Sequence, residues 1–437
     1  MNRWQSRRTP LTRRGPVSRF LLRSKRGQTR AQLRTGAHML SVAEALNLVQ
    51  AGVEPLEIQA LPLAETLGHT LAADVISGQD SPPFDKAVMD GFALQAADCA
   101  GEGTTLQVIE AVTAGQVPQL AVTQGRATQI MTGAPIPEGA DAIVPVELTT
   151  LEDGKVTINT VTAAGANILR CGEAMRAGEK VLAAGATVYP QQIGLLAELG
   201  CHLVTVRRPP RVAILATGDE LVPVDREPGP GQIRNSNELM LAAQITRAGA
   251  IPVPLGIARD DRDHLALGIE LGLQADMLLL SGGVSTGKLD LVPSELRKTG
   301  VEQVFHKVRV KPGKPLWFGT KDSLETITPV FGLPGNPLSS MVCFEIFVRA
   351  AIRQLTGQAG SGPSLQLPLA ADSKPNRHRP TYQPAMTVTS GATTAVEPIA
   401  WVGSADLYST VKATGMVVLP QGDQVIPQGT VVEFLPW

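Results

Sequence analysis

Three stretches decide how this chain reads: PPRVAILATGDEL at 209–221, GAIPVPLGI at 249–257 and ADMLLLSGGVSTGK at 275–288. Each begins as a short apolar run and ends in Gly and polar residues. Arg211–Leu215 reads as a strand buried on both faces, opened by the Pro209-Pro210 break. Residues 236–248 are amphipathic, and Gly249 suits a helix end. Ile251–Ile257 is a second strand. Asp260 or Asp261 caps a helix that ends near Gly272, and Asp276–Leu280 is a third strand. A Gly-rich turn and a helix to Gly300 follow, then a further strand at Val330-Phe331. Asn336 is placed as the cap of a long helix with Pro337 in its first turn and Gly357 past its end. Strands alternating with helices predict a mostly parallel, doubly wound α/β domain over 209–357. Its ligands belong at the C-terminal ends of the strands.

Outside this domain the rhythm changes. Residues 41–51 read as a helix closed by Gly52, and Ser41-Val42-Ala43-Glu44 has the form of a capping box. From Gln107 to Val161 short alternating runs such as Gln107-Val108-Ile109 and Ala142-Ile143-Val144 are broken by Gly and Pro, as in a small β-rich unit. Residues 190–200 read as a helix ending at Gly200. Gln358–Pro363 is a Gly/Ser linker, and 364–437 form a small terminal β domain. There is no internal repeat.

At 437 residues the chain exceeds one ordinary hydrophobic core. No run reaches the ~18 apolar residues needed to span a bilayer. The net charge of −1 hides a split: 11 of the 39 Lys and Arg lie in residues 1–38, which hold no Asp or Glu. The rest has 28 basic against 40 acidic residues, about −12. An acidic body of this kind argues against nucleic-acid binding, which needs clustered cations. The basic leader fits disordered sequence upstream of a start at Met39, an organelle transit peptide, or a nucleic-acid arm; the first is preferred because the capping box follows directly. Cys99, Cys171, Cys201 and Cys343 form no CxxC pair and no zinc spacing, which fits a reduced, cytoplasmic setting.

Five polar segments follow apolar runs: FDKAVMDGFA at 84–93, MTGAPIP at 131–137, ATGDEL at 216–221, SGGVSTGKLD at 281–290, and HKVRVKPGKP at 306–315, the last followed by GLPGNP at 332–337. Together they read as an anion site. In Ser281–Gly287 the glycines let backbone N–H groups face a phosphate, and the next helix N-terminus adds partial positive charge. Lys307, Lys311 and Lys314 add full charges; in a strand, Lys307 and Lys311 would project on one face. Asp219, Glu220 and Asp290 follow strands on the ligand side, where carboxylates can hold Mg²⁺ beside phosphate. Taken singly, each has a bland reading as a tight turn, a cap or a solvated lysine. Gly282–Lys288 also fits the P-loop spacing GxxxxGK. Leu289 stands where a P-loop needs a Ser or Thr for Mg²⁺, and the strand is third in its domain, so that reading is set aside.

In this order and spacing, MDGFA, MTGAP, ATGDEL, SGGVS, VKPGKP and LPGNP resemble the molybdopterin molybdotransferases, including the gephyrin E-domain, over roughly 39–437. The resemblance implies a helical linker domain (39–75 with 166–208), a β-rich insert (76–165), a doubly wound molybdopterin-binding domain like those of MogA and MoaB (209–357) and a C-terminal β-barrel-like domain (358–437). It implies a homodimer that takes adenylylated molybdopterin (molybdopterin-AMP) and molybdate, uses Mg²⁺, and releases AMP and molybdenum cofactor. A molybdopterin adenylyltransferase is then a natural partner. Asp90, Thr132, Glu220, Asp260, Asp290, Lys307 and Lys311 match the family's catalytic positions, Glu220 and Asp290 as metal ligands. Gly282, Gly283, Ser285, Lys314, Pro334, Asn336 and Pro337 match the pterin-nucleotide side.

The chain departs from the family pattern at Lys86-Ala87, at Phe92, at Leu169 and Ala174 in the stretch 169–174, at Asn235 where Asp precedes Ser-Asn, and at Lys288. Two other functions remain open: an adenylyltransferase-like nucleotide enzyme, and a scaffold of the same fold with weakened catalysis. Deleting residues 1–38 is expected to leave the thermal midpoint unchanged by calorimetry. A drop of several degrees would show that the leader packs on the rest.

Overall fold

A computed structural model describes residues 39–284, 291–323, 326–358 and 362–437. The central apolar runs have alternating side chains that point to opposite sides of a sheet, and both sides are covered. Its elements are β1 (Arg211–Thr217), α1 (Ser236–Arg247), β2 (Ile251–Ala258), α2 (Arg262–Gly272), β3 (Met277–Ser281), α3 (Val292–Lys298), β4 (Glu302–His306), β5 (Trp317–Asp322) and β6 (Ile327–Leu333). The strand order is β2-β1-β3-β6-β5-β4. The first four are parallel, and β5 and β4 run antiparallel at one edge.

Val212 and Ile214 of β1, Met277 and Leu279 of β3, and Phe331 and Leu333 of β6 share one core with Leu241 and Ile245 of α1. Ala213, Leu215, Leu278, Leu280 and Val330 face the other core, with Leu265 and Ile269 of α2 and Leu296 of α3. Burial on both faces is what made these runs uniformly apolar. The predicted doubly wound sheet is present. At the opposite end from the cleft described below, the Arg208 guanidinium forks onto Asp276 at 2.6 and 2.7 Å, and Asp276 also accepts the Arg211 N–H at 2.7 Å. Those bonds join the starts of β1 and β3.

The long helix predicted after Asn336 is interrupted. Pro337–Cys343 and Arg349–Leu355 are α-helical, with a π turn at Phe344–Val348 between them. That turn carries Glu345, whose side chain is almost wholly covered; it pairs with Arg247 and with Arg349 at 2.9 Å and accepts from Gln244 at 2.7 Å. Asn336 stands at the N-cap, but its side chain makes no capping bond; it donates to Ser404 Oγ at 2.7 Å.

The chain gathers into two compact units, one holding the described residues through Ala60, Gly68–Ala72 and Thr205–Trp437, the other Leu61–Leu67 and Ala73–Val204. The first helix, Val42–Ala51, has the predicted capping box at Ser41 and Glu44. Its buried Ala45, Leu48 and Val49 belong to the same core as Val212 and Phe318. It therefore packs with the doubly wound part, which differs from the expected grouping of 39–75 with 166–208. Leu48 and Val49 had no apolar partner assigned by sequence; the sheet face supplies one.

The smaller unit has a six-stranded sheet in the order 142–145, 91–94, 126–130, 104–112, 155–158, 149–152. It matches the predicted β-rich insert. The terminal domain is a five-stranded sheet, and a bridge between Leu369 and Val396 links its two edge regions in a barrel-like closure. Ser41→Ala is expected to lower the unfolding free energy of the larger unit by about 1 kcal/mol, the usual worth of an N-cap. Urea titration measures it, and no change would mean that the box is ornamental.

Candidate active site

In an open α/β sheet the strand order reverses where successive crossovers leave in opposite directions, and a crevice opens there. Here that point lies between β1 and β3. A cleft of about 650 Å³ occupies it, lined by Thr217, Gly218 and Glu220 after β1, Asp260 after β2, Ser281–Val284 after β3 and Pro334–Pro337 after β6. The start of α1 (Asn235, Ser236, Asn237) completes the lining.

The turn after β3 is possible only with glycine. Gly282 and Gly283 have φ of 99° and 62°. A Cβ on Gly282 would stand 2.6 Å from the Thr217 carbonyl oxygen, and one on Gly283 2.7 Å from Val292. Left-handed backbone and close approach therefore coincide at both positions. The Gly282 N–H donates to the Leu333 carbonyl at 3.1 Å, joining this turn to the end of β6.

Glu220 and Asp260 are exposed into the cleft. The Asp260 N–H donates to the Asp219 carboxylate at 3.3 Å. Among the described residues there is no cluster of three or more His, Cys, Asp or Glu able to hold a metal by protein ligands alone. Mg²⁺ is commonly held by one or two carboxylates with phosphate oxygens and water completing the shell. Two carboxylates beside an anion-binding turn fit that kind of ion. Ser285, Asp290 and the P-loop-like Lys288 and Leu289 lie outside the described residues.

The lysine geometry differs from expectation. β4 ends at His306, and Lys307 adopts a left-handed backbone with φ 76°. The Lys307 N–H then donates to Leu316 and the Val308 N–H to Lys314, folding the segment back. Lys307 and Lys311 are thus not two residues of one strand, and the same-face argument fails because the chain turns between them. Lys311 instead pairs with Thr381 of the terminal domain, and its ammonium lies 5.7 Å from the Trp401 ring centre. With Lys314, Arg379, Trp401 and Ser404 it lines a second cavity of about 340 Å³, which shares Pro315, Pro334 and Asn336 with the main cleft. Lys307 lines neither. Arg379, Trp401 and Ser404 carried no signal in sequence, because nothing local says that the terminal domain closes on the KPGKP turn.

Asp90 and Thr132, 42 positions apart, meet in the smaller unit. The Asp90 carboxylate accepts from the Thr132 hydroxyl at 2.6 Å and from its N–H at 2.7 Å. Those bonds, the hydroxyl's first, hold the Asp90 carboxyl below the usual range. Nearby, Asp85 accepts from Cys171 N–H and Arg170, which lower its pKa in that order. Lys86 and Leu169, both departures from the family pattern, are direct antiparallel partners. Opposed residues of such a pair share a face, so the cation at Lys86 stands beside position 169. Asn235, another departure, caps α1 by accepting from the Glu238 N–H at 3.3 Å. Asn235 also donates from Nδ2 to the Glu238 carboxylate at 3.3 Å, so the first turn of α1 carries one carboxylate, that of Glu238.

Three family models match in succession: "MoeA N-terminal region (domain I and II)" over 40–200, "Probable molybdopterin binding domain" over 213–354 and "MoeA C-terminal region (domain IV)" over 366–437. The molybdopterin molybdenumtransferase of Synechococcus elongatus is 35% identical over 410 residues, covering 90% of this chain and 99% of the relative. That of Bacillus subtilis is 33% identical over 407 residues, covering 91% and 94%. A crystal structure of the molybdopterin biosynthesis MoeA protein from Pyrococcus horikoshii OT3 superposes with a TM-score of 0.79 at 28% identity, covering 92% of this chain and 100% of that one.

Thr132→Val is expected to raise the Asp90 titration midpoint toward an ordinary carboxyl value, since it deletes the principal donor that favours the charged form. Carbon-13 NMR of the Asp90 carboxyl follows this directly; an unmoved midpoint would remove the hydroxyl as the cause.

Proposed function

The chain belongs to the MoeA family of molybdopterin molybdenumtransferases, and we propose that it inserts molybdenum from molybdate into adenylylated molybdopterin, releasing AMP. It is then a transferase of molybdenum cofactor biosynthesis. The observation that carries this reading is the cleft at the β1/β3 switch point, where a two-glycine turn faces two carboxylates. The turn and the α1 N-terminus suit the phosphates of the nucleotide. Glu220, with Asp260 and Asp290, would hold Mg²⁺, which when bound offsets phosphate charge. Molybdate, a second anion, fits the neighbouring cavity, where Lys311, Lys314 and Arg379 converge. Lys307 and the Asp90–Thr132 pair enter as catalytic residues through their match to the family.

On the same footing the protein is a homodimer of four-part subunits, with divisions near 75, 165, 208 and 357. It works in the cytoplasm and receives its substrate from a molybdopterin adenylyltransferase. Among the described residues no helix is long and apolar enough to cross a membrane. The alternative of an adenylyltransferase-like enzyme is disfavoured because the relatives that match over about nine-tenths of the chain are molybdenumtransferases.

Molybdate-dependent AMP release by the purified protein tests the activity, and binding of AMP and molybdate without release would favour a scaffold. Replacing a lysine that meets an anion in a partly desolvated site removes roughly 1.5–3 kcal/mol, on the order of 10–150-fold in rate. Lys311→Ala, in the cation-lined cavity, is expected to lose that much, and Lys307→Ala the same if its match to the family's catalytic position holds, with exposed Lys155→Ala as control; changes under about twofold would mark solvated lysines. Glu220→Gln is expected to raise the Mg²⁺ concentration needed for half-maximal rate, and an unchanged titration would remove Glu220 from the ion.

A further inference from the structure

The three parts of the cleft floor come from distant sequence: the start of α1, the turn after β3 and the turn after β6. One side chain touches all three. Asn237, in the first turn of α1 and nine-tenths buried, donates from Nδ2 to Ser281 Oγ at 2.9 Å and to the Gly335 carbonyl at 2.8 Å. Those partners lie 44 and 98 positions away. The Gly335 carbonyl only accepts, so the amide nitrogen must be the atom facing it and the orientation of Asn237 is determined.

Among the described residues the remaining amide oxygen of Asn237 is buried without a hydrogen-bond partner, and so is the Thr217 hydroxyl across the cleft floor. A buried unpartnered acceptor opposes folding. Asn237 makes its two bonds to segments far apart in sequence rather than to its own helix, so they do more than stabilise α1. What it does supply is direction. It locks the Gly282–Gly283 turn and the Pro334–Pro337 turn against the N-terminus of α1, so that their backbone groups keep one arrangement.

We propose that Asn237 is a positioning residue for substrate binding: through Ser281 and Gly335 it holds the two strand-end turns in the arrangement that receives the phosphate-bearing substrate. This rests on the function proposed above. Asn237 does not need to touch the substrate. Its removal leaves the sheet, the carboxylates and the lysines in place and lets the two turns move independently. Binding then weakens more than turnover, because the substrate must reorder the turns each time it enters.

The test compares Asn237→Ala, the similar-volume Asn237→Leu, Ser281→Ala and the double variant Asn237→Ala/Ser281→Ala with the unaltered chain, by steady-state AMP release and by hydrogen exchange. Asn237→Ala and Asn237→Leu are expected to raise KM for adenylylated molybdopterin about tenfold, with kcat within about threefold. Ser281→Ala should show a smaller rise. The double variant should be no worse than Asn237→Ala, because the bond that Ser281→Ala removes is one of the two already lost with Asn237. Amide exchange over 278–284 and 333–340 should quicken about tenfold in the Asn237 variants without any substrate present. KM within twofold of the unaltered chain in both Asn237 variants overturns the proposal, as do equal losses in kcat and KM or unchanged exchange. If the unaltered chain releases no AMP, the functional reading fails on its own, and the exchange measurement still decides whether Asn237 ties the turns.

Discussion

The structure depends on how closely the end of β3 approaches the end of β1. Each strand is buried on both faces, so their mutual position is set by two cores at once. Where they stop, the chain after β3 must turn against Thr217 with no room for a side chain. The cleft exists because glycine meets that requirement twice in succession. Its carboxylates, helix terminus and proline turn are then delivered by strands whose spacing the sheet has already determined.

This arrangement also answers the charge problem. Away from the basic leader the chain is about −12, and its expected substrates are anions. Long-range attraction is unfavourable, so capture must come from groups within a few ångströms. The features suited to an anion are all short-ranged: a helix start at the cleft, and cations gathered where the terminal domain meets the KPGKP turn.

The doubly wound sheet was legible because burial on both faces leaves uninterrupted apolar runs, and Gly249, Gly300 and Gly357 end helices or follow them where expected. Asp261 caps α2, one of the two candidates offered by sequence. What was not legible depended on long-range contacts. The surface that the first helix covers was not legible, because its apolar stripe does not say which partner it packs against; Ala45, Leu48 and Val49 join the core of the sheet. The lysine segment was read as extended, yet Lys307 turns it back, and a left-handed lysine has no local signature. Asn237 passed unnoticed because its two partners come from other strand ends.

The π turn at Phe344–Val348 has a consequence for how this chain can change length. A π turn holds about one residue more than an α turn, while the α segments on either side keep their own facing. Loss of one residue there would close the turn to ordinary pitch without rotating Arg349–Leu355 off the core. The same loss elsewhere in the helix would swing every later side chain by about 100°. The helix therefore carries one slack position along its length. That position is occupied by the stretch that seats Glu345 between two arginines, so shortening it would leave the packing in register while parting a buried carboxylate from its partly exposed cations.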